Sequence, residues 1–145
     1  MKYRRLTSSD MDRVLEMNQT FREEFIDPAG VKAFLKDDKN WIFAALEKDR
    51  VIAFAYGYML ERLDAKRMMY IHEVGVAEEY QRQGVGTTLM EELKAAAAED
   101  GCAKIFLITD QANEGANRLY QKTGGEMGVD SRGNDRMYWF PTSHT

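Results

Sequence analysis

Apolar residues recur along this chain with two different spacings. In some segments they stand at every second position or form short continuous runs, which predicts β-strands. In others they recur every third or fourth position, which predicts amphipathic helices. The predicted strands span 3–6, 41–46, 51–60, 69–76, 104–109, 126–129 and 137–140. The predicted helices follow a cap at Ser8 or Ser9, start at Pro28, and span 88–100 and 114–123.

The order of these elements predicts a mixed α/β fold. Three consecutive strands joined by short polar turns favour an antiparallel meander, and the strand–helix–strand sequence that follows favours one parallel crossover. We therefore expect a mainly antiparallel central sheet with helices on both faces. Gly57, inside a predicted strand, indicates a bulge or a close backbone approach. A length of 145 residues predicts a single domain over 1–145.

Composition and charge limit the cellular compartment and the classes of binding partner that we expect for this chain. The formal net charge of −4 argues against nucleic acid as the main partner. No apolar run approaches the ~20 residues of a membrane span, and the amino-terminal residues contain no apolar segment of signal-peptide length. The single cysteine, Cys102, precludes an intrachain disulfide and favours a reducing compartment. We therefore expect a cytoplasmic protein that binds neither nucleic acid nor membranes.

The segment Gln81–Thr87, which reads Gln-Arg-Gln-Gly-Val-Gly-Thr, carries the strongest chemical signal. It lies between a predicted strand and a predicted helix, so free backbone N–H groups and the positive pole of the helix converge there. Two nearby glycines, Gly84 and Gly86, let a pyrophosphate approach the backbone without meeting Cβ atoms. The segment therefore predicts a site for a phosphorylated cofactor.

Two common phosphate-binding folds do not fit this position. A dinucleotide-binding Rossmann fold has its glycine-rich turn after the first strand, whereas here the turn follows the fourth. A P-loop needs a lysine directly after its last glycine, and Thr87 follows Gly86 instead. Phosphoryl transfer is therefore disfavoured.

Two blocks of sequence resemble the motifs of the GNAT family of N-acetyltransferases. In the block Val74–Gly86, the residues Gln81, Gly84 and Gly86 match the acyl-CoA-binding pattern Gln/Arg-x-x-Gly-x-Gly/Ala. The block Asn113–Gly124 is similar to the family pattern Asn-x-x-Ala-x-x-Leu-Tyr-x-x-x-Gly. Both blocks stand on the strand and helix order that the family has.

Within the family, the chain looks closest to the aminoglycoside 3-N-acetyltransferases. The residues that carry this narrower resemblance are Tyr70–Val76, Arg82–Gly84 and the loop 60–68 before them. The chain departs from the family pattern at Gly125, where an aromatic residue is common. That departure changes the expected packing of the next strand and touches no chemistry.

The resemblance implies acetyl-CoA as the cofactor and no metal. In the family the fourth and fifth strands splay apart, the pantetheine arm lies between them, and the pyrophosphate binds the loop that follows. The implied contacts are Val74, Val76, Gln81, Arg82, Gln83, Gly84, Val85, Gly86, Thr87, Asn113 and Asn117. Asn113 is also a candidate N-cap of the last helix. A homodimer, common in the family, is expected to use the last hairpin or the adjacent helix, because alternation turns two of the residues 137–140 outward.

The resemblance also implies a base and an acid. Direct attack of an amine on a thioester needs a base that keeps the amine neutral and an acid that meets the departing thiolate. Glu73 stands where the family commonly keeps a carboxylate, and His72 or a chain of water molecules is the alternative base. Because neighbours on a strand point to opposite faces, only one of them reaches the cleft unless a bulge intervenes. Tyr120, in the family's Leu-Tyr pair, is the implied acid.

These inferences predict an acetyl-CoA-dependent N-acetyltransferase that acts on a primary amine of a small cationic molecule, with an aminoglycoside as one candidate. Protein or peptide N-acetylation and a non-catalytic acyl-CoA-binding module remain alternatives. The acidic residues available to recognise a cationic acceptor are Glu23, Glu24, Asp27, Glu61, Asp64 and Asp110. Their presence is explained equally well if they are solvated surface residues or loop caps.

Overall fold

A seven-stranded sheet runs through the molecule, with helices on both of its faces. The structure is a computed structural model that describes residues 1–21, 27–128 and 131–142. The strands are β1 (Lys2–Arg5), β2 (Asn40–Glu47), β3 (Arg50–Leu60), β4 (Arg67–Val76), β5 (Cys102–Asp110), β6 (Glu126–Met127) and β7 (Asp135–Pro141). The helices are α1 (Met11–Phe21), α2 (Pro28–Lys36), α3 (Val85–Glu99) and α4 (Glu114–Lys122).

The strand order across the sheet is β1-β2-β3-β4-β5-β7-β6. Every neighbouring pair is antiparallel except β4 and β5, which run parallel because α3 carries the chain back along the sheet. The predicted mixed α/β fold, with a mainly antiparallel sheet and helices on both faces, is confirmed. The single-domain span over 1–145 stays a prediction.

Two apolar cores lie on opposite faces of the sheet. On one face, α3 buries Leu89 and Leu93 in a cluster that also contains Phe140 of β7. On the other face, Val14 of α1 and Val31 of α2 pack over β2 and β3. Each fully buried aliphatic or aromatic side chain contributes about 1.5–3 kcal/mol, so the sheet is fixed from both sides.

β4 and β5 separate halfway along β4. Their parallel pairing runs from Arg67 opposite Cys102 to Ile71 opposite Leu107 and ends there, although β4 continues to Val76. Residues 73–76 of β4 therefore pair with β3 alone, and a wedge opens between β4 and β5. The wedge leads directly to the loop that precedes α3.

β4 carries a bulge at His72. On β3, Tyr56 pairs with Glu73 whereas the next residue, Gly57, pairs with Ile71, which leaves His72 outside the ladder. A Cβ on Gly57 would stand 1.9 Å from the nearest backbone oxygen of β4, a distance that no side chain tolerates. The bulge and close backbone approach predicted at Gly57 are both confirmed.

Two helix starts differ from their prediction. α3 begins at Val85 rather than at residue 88, because Gly84 takes a left-handed conformation with φ of 81° and ends the loop directly before the helix. α1 is preceded by a short 3-10 turn over Ser8–Asp10, and the residue that precedes this turn is Thr7 rather than either serine. The conformation of the backbone determines where both helices begin, and the spacing of apolar residues gives no information about that conformation.

The last hairpin alternates as predicted. Tyr138 and Phe140 are fully buried, whereas Met137 and Trp139 are only half-buried. Val129, which was predicted to end the first strand of this hairpin, lies outside the described residues. The homodimer stays a prediction. Within the described ranges, no helix is both long and apolar enough to cross a membrane.

The buried carboxylate of Asp10 ties β1 to the start of α1. It accepts hydrogen bonds from both Nη atoms of Arg4, at 3.0 and 2.9 Å, and from Nη1 of Arg13 at 3.2 Å. The backbone N–H of Thr7 adds a fourth at 2.7 Å. The hydrogen bond from Arg4 is the largest cause that lowers the pKa of Asp10, which falls to about 2.

We expect Asp10→Asn to lower the free energy of unfolding at neutral pH by about 2 kcal/mol. The folded-state pKa of Asp10 lies below its unfolded value, so its contribution is full above about pH 4 and is lost as the pH falls toward about 2. Urea unfolding of both proteins over this range should show the difference shrinking as the pH drops. The exposed Asp12→Asn is the control and should stay within about 0.5 kcal/mol of the parent. A difference independent of pH would contradict the assignment.

Candidate active site

A cavity of about 950 Å³ lies where the wedge between β4 and β5 meets the start of α3. Its lining has three parts, which are the end of β4, the loop into α3, and one side of α4. Val74 and Val76 form the β4 part. Both alternate toward the face of the sheet that carries α3, because the bulge at His72 resets the alternation of β4 after Ile71.

The loop between β4 and α3 is held in shape by its own glutamines. Nε2 of Gln81 donates a hydrogen bond to the carbonyl oxygen of Val76 at 3.0 Å, and Nε2 of Gln83 donates to that of Glu79 at 2.8 Å. Gln81 also lines the cavity, whereas Gln83 does not. The two amides therefore fix the loop against the strand end, which is a structural role that the motif alone did not reveal.

The loop enters α3 through two residues in the left-handed conformation. Arg82 has a φ of 62° and Gly84 a φ of 81°. The N–H of Thr88 donates to the carbonyl oxygen of Gly84 at 3.0 Å, so the N–H groups of residues 85–87 have no partner within the helix. Together with the positive pole of α3, they form an anion site at the edge of the cavity.

Glycine leaves room for a ligand at both motif positions. A Cβ on Gly84 would meet nothing within 4 Å, so its backbone is open to the cavity. A Cβ on Gly86 would stand 3.3 Å from Cδ2 of Leu119 and 3.6 Å from Cγ2 of Val76. Gly86 therefore keeps a narrow passage open between β4 and α4.

The third side of the cavity is formed by α4. Glu114, Arg118 and Lys122 recur at every fourth position and all line the cavity. With Arg82, they make three basic side chains and one carboxylate, in a chain whose net charge is −4. The ion pairs among the described residues involve neither Arg118 nor Lys122.

Several residues that line the cavity were not among the predicted contacts. Arg118, Leu119 and Lys122 stand on α4, and Tyr80 precedes the glycine loop. The available signal was the spacing of four between charged residues within the second family block. That spacing predicts one face of a helix, but it does not say which element that face meets.

Most of the predicted cofactor contacts line the cavity, and three do not. Asn113 is the N-cap of α4 as predicted, since its Oδ1 accepts a hydrogen bond from the N–H of Ala116 at 3.1 Å. It also lines the cavity, and its contact with the cofactor stays a prediction. Gln83 supports the loop, and Val85 is buried in the apolar core with 5% exposure. Thr87 lines the cavity beside the helix start.

Asn117 is the third predicted contact that does not line the cavity. Its Nδ2 donates to the carbonyl oxygens of Asp110, at 3.0 Å, and of Asn113, at 2.7 Å. Its Oδ1 accepts a hydrogen bond from the hydroxyl of Tyr138 at 2.6 Å. Asn117 therefore holds the connection between β5 and α4 together. Its direct contact with a cofactor stays a prediction.

Tyr120 reaches the cavity from α4, although it is only 6% exposed. Burial, with Tyr138 nearby, raises the pKa of its phenol to about 12. The phenol is therefore protonated at neutral pH, as the implied acid must be. A thiol has a pKa of roughly 8.5, so complete proton transfer from this phenol to a thiolate is uphill. Its chemistry fits a hydrogen-bond donor to the developing thiolate better than a full proton donor.

The bulge brings both candidate bases to one face of the sheet. Glu73 directly opposes Tyr56, and directly opposed residues share a face. The ring of His72 lies 5.2 Å from that of Tyr56 and 6.0 Å from that of Tyr70. This is the face that carries α1 and α2. Because of the bulge, His72 and Glu73 stand on the same face although they are neighbours on one strand. Which of the two acts as the base stays a prediction.

Four of the six carboxylates considered for cation recognition have hydrogen-bond or ion-pair partners within the protein. Glu61 and Asp64 form ion pairs at 2.7 Å with arginines of the same segment. Asp27 and Asp110 accept hydrogen bonds from backbone N–H groups two residues further on, at 3.1 and 2.7 Å. The other two candidates, Glu23 and Glu24, lie outside the described residues. The part of the chain that is described contains no group of three or more His, Cys, Asp and Glu able to hold a metal ion.

Known proteins share both the sequence pattern and the fold. The pattern of the acetyltransferase (GNAT) family matches residues 9–125. An uncharacterized N-acetyltransferase of Mycobacterium tuberculosis is 29% identical over 105 residues, which are 72% of this chain and 65% of that protein. The match therefore covers slightly less than two thirds of the relative's length.

Two solved structures superpose on almost the whole chain. An aminoglycoside acetyltransferase from an uncultured soil metagenomic sample, in complex with sisomicin, gives a TM-score of 0.80 at 22% identity and covers 91% of this chain and 94% of that one. A chain of the NatC complex bound to Gag peptide and CoA gives a TM-score of 0.77 at 17% identity, with 98% of each chain covered. Because the family pattern spans both sequence blocks and the site they form, the chain belongs to the acetyltransferase (GNAT) family.

Proposed function

We propose that this chain is an acetyl-CoA-dependent N-acetyltransferase that modifies a primary amine of a small cationic molecule, with an aminoglycoside as one candidate. The observation that carries the proposal is the cavity at the wedge, which joins an N–H-rich helix start to an opened pair of strands. Free N–H groups suit phosphates, and the wedge suits a narrow arm that ends in a thioester. Family membership and the aminoglycoside acetyltransferase fold support the same reading.

The residues of the cavity fit acetyl-CoA. The pyrophosphate would bind the N–H groups of residues 85–87, with Gly84 and Gly86 leaving room for it. The pantetheine arm would lie against Val74 and Val76, where β4 lacks β5 as a neighbour. The three basic side chains of the lining supply the positive charge that several phosphate groups require. Acetyl-CoA would supply the acetyl group in activated form, as a thioester.

We expect Arg118→Gln combined with Lys122→Gln to raise the KM for acetyl-CoA about tenfold or more, because two charge-assisted contacts to phosphate are lost. Steady-state kinetics at low and high salt measures the effect, which should shrink as salt screens the parental contacts. Lys32→Gln with Lys36→Gln is the matched control, since it removes the same charge from an exposed pair with the same spacing on α2. An equal KM in both double variants would contradict the assignment of Arg118 and Lys122.

The proposed reaction needs one proton removed and one supplied. As the amine nitrogen attacks the carbonyl carbon, the new C–N bond forms and the C–S bond breaks. Glu73 would accept the proton of the amine, directly or through water, and its negative charge would also attract the amine in its ammonium form. Tyr120 would donate a hydrogen bond to the departing sulfur, which then takes its proton from solvent.

Protein or peptide N-acetylation is the second candidate function. It is favoured by the NatC neighbour, whose structure contains a peptide, although the likeness at 17% identity concerns the fold. The same cofactor site serves both substrate classes. The distinction therefore depends on the acceptor face, where His72 and Glu73 stand, rather than on the cavity.

A thiol-release assay tests the proposal. Acetyl-CoA is incubated with the protein and with aminoglycosides, polyamines, amino acids, simple amines or peptides, and the free thiol is measured. We expect release with small amines at a higher kcat/KM than with peptides. Release with peptides alone would support the second candidate. Binding of acetyl-CoA without release in any mixture would support a non-catalytic module.

A further inference from the structure

Four aromatic residues stand side by side across four strands. Tyr58 of β3 opposes Tyr70 of β4. Phe106 of β5 opposes Tyr70 on one side and Trp139 of β7 on the other. Directly opposed residues share a face of the sheet, so these four side chains form a continuous line, which we call the aromatic row. Neighbouring ring centroids are 6.4, 5.1 and 5.0 Å apart, within the range of about 4.5–7 Å for aromatic pairs.

The aromatic row is partly open to solvent. Its four rings are half-buried, and Ile108, two residues beyond Phe106 on β5, is 45% exposed where β4 has already turned away. The helices of this face pack mainly on β2 and β3. Phe34 of α2 borders the row, with its ring centroid 6.0 Å from that of Tyr58. The aromatic row therefore forms an apolar surface on the sheet that α2 borders on one side.

The aromatic row ends beside the candidate bases. The ring of His72 lies 6.0 Å from that of Tyr70 and 6.3 Å from that of Tyr58. Glu73 follows on the same face, at the point where the wedge opens. Because strand residues rise about 3.3 Å each, a ligand on the row lies within one short alkyl chain of the wedge.

We propose that the aromatic row binds the acceptor and that the acceptor is a primary amine joined by a short alkyl chain to an aromatic ring. The proposal rests on the proposed acetyltransferase function and names its substrate class. The ring of the acceptor stacks on Tyr70 and Phe106, and its amine reaches Glu73 and His72 at the mouth of the wedge. The faces of the tyrosine rings also attract the amine while it is an ammonium ion.

Charge and area favour this occupant over two others. A polycationic aminoglycoside requires several available carboxylates, whereas among the described residues Glu61 and Asp64 already pair with arginines. The aromatic row alone is too small for a second copy of the chain, which requires about 800 Å² from each partner, so the homodimer predicted at the last hairpin would need surface beyond the row. Four half-buried rings offer at most a few hundred Å², roughly, since a whole aromatic side chain covers about 150–250 Å².

Paired substrates test the proposal. The kcat/KM for phenethylamine is compared with that for n-hexylamine, a primary amine without a ring, and with those for kanamycin and spermidine. We expect phenethylamine to exceed each of the others about tenfold or more. Tyr70→Leu and Phe106→Leu should each lower the phenethylamine-to-hexylamine ratio about three- to tenfold, the range that one aromatic pair supports. Tyr3→Leu, a half-buried tyrosine on β1 in the core of the opposite face, should keep the ratio.

A binding measurement tests the same contact without turnover. Phenethylamine should change the tryptophan fluorescence of the parent, and Trp139→Phe should abolish the change, because Trp41 is buried in the core of the opposite face. A ratio near one, a higher kcat/KM for kanamycin or spermidine, or an unchanged fluorescence would overturn the proposed substrate class. Absence of thiol release with every amine would instead overturn the acetyltransferase function, and the fluorescence would still decide whether the row binds an aromatic amine.

Discussion

Replacing Glu73 with glutamine is expected to slow acetyl transfer by about 100- to 10,000-fold, which is the usual value of general base catalysis, while acetyl-CoA still binds. Glutamine keeps the size of the side chain but cannot accept the proton of the amine. The residual rate should climb with pH, because a larger fraction of the amine is already neutral at higher pH. Steady-state kinetics across pH, with a thermal-shift measurement of acetyl-CoA binding, provides both readouts.

Glu92→Gln is the matched control, because Glu92 is an exposed carboxylate on α3. It should leave kcat/KM unchanged. Tyr120→Phe should slow the reaction less than Glu73→Gln, because water replaces a hydrogen-bond donor more easily than a positioned base. The two changes should be less than additive if both act on one step. If Glu73→Gln turns over at the parental rate, His72 becomes the leading candidate for the base. In that case His72→Asn should show the large decrease in the rate of acetyl transfer.

Gly86→Leu is expected to abolish most of the thermal stabilisation that acetyl-CoA gives. The Cβ alone would stand 3.3 Å from Leu119 and 3.6 Å from Val76, so the rest of a leucine side chain must fill the passage between β4 and α4. A ligand at 100 times its Kd stabilises a protein by about 2.7 kcal/mol, which corresponds to a shift of several degrees in Tm. The variant should lose this shift, as measured by thermal unfolding with and without saturating acetyl-CoA.

Gly30→Leu is the control for Gly86→Leu, since a Cβ on Gly30 meets nothing closer than 3.7 Å and Gly30 lies on α2. It should retain the acetyl-CoA shift. Far-UV circular dichroism checks that both variants fold. Gly84→Ala provides a milder second variant, because its Cβ enters open space while its φ of 81° disfavours any side chain. A full acetyl-CoA shift in Gly86→Leu would contradict the cofactor site.

The sequence predicted the order of the elements because each carries a local signal. Alternating apolar residues mark the strands, Asp27 and Pro28 mark the start of α2, and Gly57 marks the bulge that the structure contains. The glycine loop was equally predictable, since its chemistry resides in one continuous segment. Helix starts were less predictable, because the left-handed backbone of Gly84 begins α3 earlier than its apolar spacing indicates.

The acceptor face could not be predicted, because it depends on strand register. Tyr58, Tyr70, Phe106 and Trp139 are scattered over some eighty positions of sequence, and only the pairing of four strands aligns them. The same limit applies to Arg118 and Lys122, whose helix face was evident but whose neighbour was not. Local spacing defines which residues share a side of one element, and tertiary contact defines what that side meets.

The separation of β4 from β5 creates a strand edge in the interior of a sheet. Beyond Ile71, half of the backbone N–H and C=O groups of β4 turn toward a neighbour that has departed. An edge of this kind at the rim of a sheet would invite pairing with another chain and would be an aggregation hazard. Here β5 is still joined to β4 at Ile71 and Leu107, so a second polypeptide strand cannot slide alongside. The backbone groups of β4 that β5 leaves unpaired lie beside the cavity that Val74 and Val76 line, so a bound ligand rather than another strand can form hydrogen bonds with them.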